Sequence, residues 1–99
     1  MSAKVQRSSG DVFKDLGFEQ DEAAHLRIRA MLMARVRELI ERKGLTQAAA
    51  ADLFGVTQPR ISDLVRGKID LFSIDGLVDM LARAHYRVSL VVREERRVA

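Results

Sequence analysis

The stretch GVTQPRISDLVRGK, residues 55–68, sets Pro59 two positions ahead of an apolar pattern carried by Ile61, Leu64 and Val65. A helix running back through Gly55 would lose a hydrogen bond at Pro59 and drive its ring into the preceding turn, at a cost of about 3 kcal/mol. A helix that begins at Thr57 or Gln58 avoids the conflict, because its first turn needs no donor from residue 59. Pro59 also biases Gln58 toward an extended backbone, which fixes the helix start. The stretch thus reads as a corner over residues 55–57 and a helix that buries Ile61, Leu64 and Val65 until Gly67 ends it.

Upstream of the corner, Thr46 suits the N-cap of a short helix, QAAAADLF, with Ala50, Leu53 and Phe54 as its apolar partners. Ala51 is small where two helices would cross closely, and Gly55 can take the positive backbone dihedral that the corner requires. Residues 46–67 therefore form a helix-turn-helix outline. Before it, a longer helix is expected from about Asp21 to Lys43. Ile28, Leu32, Val36, Leu39 and Ile40 form its stripe, and Gly44 is its left-handed cap. After the outline, Ser73 caps IDGLVDMLARA, which carries Leu77, Met80, Leu81 and Ala84 on one face.

The ends of the chain read differently. DVFKDLGF (11–18) has Asp11 at a capping position and suits one or two helical turns after a mobile start at 1–10. In RVSLVVR, residues 87–93, Val88, Leu90 and Val92 alternate with Arg87, Ser89, Val91 and Arg93, which favours a strand. Its own chain offers it no obvious partner. An unpaired strand exposes a row of donors and acceptors, so this one is expected to pair with a second copy or with another protein; a two-fold homodimer is the simpler solution.

Composition bounds the rest. The 99 residues are 47% apolar and 31% charged, a balance that suits one globular domain. There is no cysteine, and the two histidines, His25 and His85, lack ligand spacing, so neither a disulfide framework nor a metal or other cofactor is expected. No long apolar run suggests membrane insertion or export, and a cytoplasmic protein fits best. A net charge of +3 permits nucleic acid as a partner without compelling it. The carboxylates of residues 11–22 stand without a nucleophile motif or phosphate loop, and no catalysis is expected. The apolar run AMLMA (30–34) fits core packing first, with a dimer or protein contact as alternatives, while Arg27, Arg29, Arg35 and Arg37 suit either solubility or an approach to a DNA backbone.

The segment QAAAADLFGVTQPRISDLVRGK resembles the lambda-repressor and Cro-like family, also called XRE, and the likeness runs from about Val36 to Leu81. The long first helix after VFKDLGF, the phrase VTQPRISDLVRGKIDLFSIDGLVDML and the final strand resemble its HigA-type antitoxin branch. The resemblance implies an autoregulating repressor and, in that branch, a RelE or HigB-like ribonuclease toxin as partner.

With Ile61 and Leu64 inward, 100° per residue turns Pro59, Ser62, Asp63 and Arg66 outward, with Gln58 at the exposed start. Gln58 offers an amide fork to adenine, Arg66 suits guanine or phosphate, and Ser62 suits either role. Arg60 at the side and Lys68 beyond Gly67 suit phosphates, Gln47 suits a phosphate at the start of its helix, and Thr57 completes the candidate set. Asp63 is out of place near phosphates unless it accepts from cytosine or pairs with a nearby arginine such as Arg66. Each of these residues also suits a plain solvated face, and a two-helix corner also serves as mere scaffold.

The expectation is an all-α, lambda-repressor-like bundle over residues 11–86 with a dimerising strand and basic tail at 87–99. It binds double-stranded DNA as a homodimer and represses transcription. The competing reading is a protein-interaction module that neutralises a partner with little DNA binding of its own.

Overall fold

The computed structural model describes residues 19–95. It contains four α-helices, α1 (Glu19–Arg42), α2 (Gln47–Phe54), α3 (Gln58–Val65) and α4 (Ile74–Arg83), with a 3-10 turn at Ile69–Leu71 between α3 and α4. Three of the helix starts follow from one chemistry. Thr46, Thr57 and Ser73 are extended N-caps whose hydroxyl oxygens accept from the N–H groups of Ala49, Arg60 and Gly76 at 3.1, 3.3 and 3.0 Å. Pro59 sits inside the first turn of α3, where its missing donor costs nothing. The short helix suggested for residues 11–18 lies outside the described residues.

Helix ends are equally local. Gly44 has φ +62°, and the N–H of Leu45 donates to the carbonyl of Ile40 at 3.0 Å, closing α1 with a left-handed turn. His85 repeats that geometry after α4: its φ is +69°, and the N–H of Tyr86 donates to the carbonyl of Leu81 at 2.9 Å. Histidine pays steric strain there that glycine would not. The turn swings Tyr86 and Val88 back against the core.

The core joins all four helices through Met33, Val36, Leu39 and Ile40 of α1, Ala50, Ala51 and Phe54 of α2, Ile61 and Leu64 of α3, and Leu77, Met80 and Leu81 of α4, with Phe72 and Ala84 beside them. No polar or charged residue is buried among the described ones. Two residues read as inward are not. Ile28 is 40% exposed because α1 extends N-terminally beyond the elements that cover its core face, and Val65, the last residue of α3, stands at the rim with 38% exposed. Within the AMLMA run only Met33 is buried, Leu32 packs partly, and Met31 faces solvent.

The C-terminal strand is corrected: among the described residues, 87–95 form no strand and make no backbone hydrogen bond. The reason is physical, since a ladder needs a neighbouring strand and the helices of this chain supply none. Leu90 and Val92, read as dimerising residues, are exposed, whereas Val88 packs partly on the core of its own chain.

The corner between α2 and α3 is the tightest joint in the fold. Gly55 takes φ +71°, and a Cβ built on it would lie 2.5 Å from Cδ of Arg83. That arginine crosses from α4 to donate from Nη1 to the carbonyls of Phe54 and Gly55, each at 3.5 Å, and brings a cation to the negative end of α2. Gly55→Ala is accordingly expected to lower stability by about 1–2 kcal/mol, from the left-handed backbone and the displaced Arg83 together, read as a lower thermal midpoint. An unchanged midpoint would refute this account of the corner.

Candidate nucleic-acid interface

The outer side of α3 carries the candidate contacts. Gln58, Pro59 and Arg66 are exposed, Ser62 and Asp63 are half-buried, and Thr57 is exposed at the helix start, its hydroxyl committed to the cap. Gln47 is exposed at the first position of α2. Thr46 satisfies the N–H of Ala49 and accepts at its carbonyl from Ala50, so the N–H groups of Gln47 and Ala48 remain free of intrahelical partners.

Charge on this side is already partly organised. Asp63 pairs with Lys68, Oδ1 to Nζ at 3.6 Å, rather than with Arg66. The left-handed turn at Gly67 brings Lys68 back over the end of α3, where the N–H of Lys68 donates to the carbonyl of Asp63 at 3.0 Å. The carboxylate thereby gains a local cation, and Arg66 stays without an ion pair among the described residues.

Arg60 is half-buried, and its guanidinium carbon lies 4.2 Å from the centroid of the Phe72 ring. Phe72 follows the 3-10 turn, whose backbone is tied to α1 by Arg29: Nη1 donates to the carbonyls of Ile69 and Phe72 at 3.3 and 3.4 Å. Arg29 is thus an internal strut. Helix spacing carried the signal, since Arg29 precedes the buried Val36 by seven residues and shares its face. An open groove of about 570 Å³ lies beside these groups, lined by His25 and Arg29 of α1, Arg60 of α3, and Asp70, Phe72 and Asp75. Among the described residues, no group of three histidines or carboxylates is placed to hold a metal ion. No described helix is long and apolar enough to cross a membrane.

Two short helices meeting at a glycine corner, the second with an uncovered polar side, define a helix-turn-helix domain. The helix-turn-helix domain family matches residues 12–93 of the chain. A solved structure described as an XRE family transcriptional regulator is similar at 31% identity, with 79% of this chain and 91% of that one covered and a TM-score of 0.71. The chain belongs to the XRE helix-turn-helix family. No curated protein matches it.

Proposed function

We propose that the protein is a DNA-binding transcriptional repressor that docks α3 in the major groove as a homodimer. The observation that carries this reading is the solvent-facing side of α3, where Gln58, Pro59 and Arg66 are uncovered and the helix's own carboxylate, Asp63, has a cation against it. Gln58 reads a base edge, and Arg66 takes a base or a phosphate. Ser62 supplies a hydroxyl to either. Gln47 and the free N–H groups at the start of α2 seat a phosphate, and Lys68 adds backbone attraction reduced by its pairing with Asp63. Footprinting on the gene's own upstream region tests the reading. Two protected half-sites about 34 Å apart are expected, and the absence of specific protection at low salt would overturn it.

A sharper result follows at Gln58. Gln58→Ala is expected to lose about 1–3 kcal/mol of discrimination at a single base pair of each half-site, with little change in binding to unrelated DNA. Competition binding against a set of single-base operator variants reads this out. A uniform loss across all variants would reassign Gln58 to the DNA backbone.

The regulator is further proposed to be the antitoxin of a toxin–antitoxin pair, partnered by a RelE or HigB-like toxin. The exposed side of α1 supports this, since Ile28 and Met31, one turn apart on neighbouring positions of the helix surface, are uncovered by the described residues and leave apolar side chains for a protein. Copurification with a small basic protein encoded next to the gene tests this part. A toxin bound by a chain that shows no upstream-specific DNA binding would favour the interaction-module reading instead.

A further inference from the structure

We propose that Phe72 is a positioning residue for DNA recognition, holding Arg60 as a preformed fork for one phosphate of the duplex; this rests on the DNA-binding reading above. Phe72 is only 2% exposed, so its ring is a fixed platform. The segment from Ile69 to Phe72 is fastened to α1 at both ends, through the contacts of Arg29 with the carbonyls of Ile69 and of Phe72 itself. Arg60 places its guanidinium carbon over this ring, 4.2 Å from the centroid, a cation–π contact that restrains the group without drawing on an oxygen acceptor. Among the described residues those N–H groups make no side-chain hydrogen bond and no ion pair, in contrast to Lys68, which is engaged by Asp63.

A long side chain that meets a phosphate ordinarily loses rotamer freedom on binding. Here that freedom is already restricted before DNA arrives, and the planar donor fork suits two phosphate oxygens at once. Arg60 is also on the first turn of α3, beside the exposed Gln58 and Pro59, so a phosphate held by it would fix how the helix start sits against the bases. Lysine at this position would keep the charge and lose both the stack and the fork.

The test measures affinity for a duplex spanning the native upstream region, over a range of salt, for the wild type, Phe72→Leu, Arg60→Lys, Arg60→Ala and the Phe72→Leu/Arg60→Ala double variant. Phe72→Leu and Arg60→Lys are each expected to weaken binding about 2- to 5-fold with the salt slope unchanged. Arg60→Ala should lower the slope by about one unit. Adding Phe72→Leu to Arg60→Ala should cost nothing further. An equal loss from Phe72→Leu in both backgrounds would make Phe72 merely a core residue and overturn the proposal, as would a salt slope indifferent to Arg60→Ala. Arg60→Lys leaves the core untouched, so full affinity in that variant overturns the proposal even if Phe72→Leu fails to fold. A wild-type chain that binds no duplex fails the underlying reading and this inference with it, whereas wild-type binding with either overturning pattern fails the inference alone.

Discussion

Phe54→Ala is expected to cost about 3–5 kcal/mol of folding stability. Phe54 is fully buried at the end of α2, where α2 meets both α3 and α4, and two of its buried companions, Ala50 and Ala51, are too small to collapse into the space a missing ring would leave. The removed ring therefore leaves a cavity and forfeits its transfer energy as well. A domain of this size holds about 5–15 kcal/mol in total, so the loss is about a fifth of the stability or more. Urea unfolding reads it as a lower midpoint with an unchanged slope. DNA binding should fail in step with the unfolded fraction, because the variant loses the buried ring but keeps the backbone carbonyl that meets Arg83. A shift worth less than about 1 kcal/mol would show that the ring of Phe54 does not hold α2 against α3 and α4.

The helix-turn-helix was legible because its determinants are local. Thr46, Gly55, Thr57, Pro59 and Ser73 act on backbone within four residues of themselves, and the helices start and stop where those residues direct. The expected first helix, Asp21 to Lys43, differs from the observed Glu19–Arg42 by two residues at one end and one at the other. Periodicity gives the inward side of each helix but not how far its neighbours reach, so Ile28 and Val65 fall on the inward pattern and yet stand exposed.

The contacts that organise the interface were not legible for a different reason. Arg60 meets a ring twelve residues further along the chain, and Asp63 meets Lys68 rather than Arg66, because the 3-10 turn at Ile69–Leu71 and the left-handed Gly67 set the path of the chain between them. That path is a tertiary result, and helix arithmetic stops at the helix end. The strand failed as a description of one chain on similar grounds, since alternation marks residues that suit a ladder, while a ladder needs a second strand that the described residues do not supply.

Leu90 is 80% exposed, Val91 73% and Val92 95%, and the backbone around them carries no hydrogen bond among the described residues. Three adjacent apolar side chains in water beside unpaired donors and acceptors would both be satisfied if a second copy, as proposed, paired with this segment in antiparallel fashion. The double variant Leu90→Asp/Val92→Asp places four like charges across such a pairing. The proposed pairing predicts a dimer in sedimentation for the wild type and a monomer for this variant. Its helical signal and thermal midpoint at low concentration should barely change, because neither side chain contributes to the monomer core. Loss of the second half-site removes the gain from binding two linked recognition helices, a factor of about 10²–10⁴, so affinity for the palindromic upstream site should fall by about 100-fold or more while single half-site binding persists. Arg60 and Gln58 remain intact in this variant, which separates a failure of pairing from a failure of recognition. A variant that stays dimeric, or a wild type that is monomeric at every concentration, would show that the exposed segment is covered by something other than a second copy of the chain.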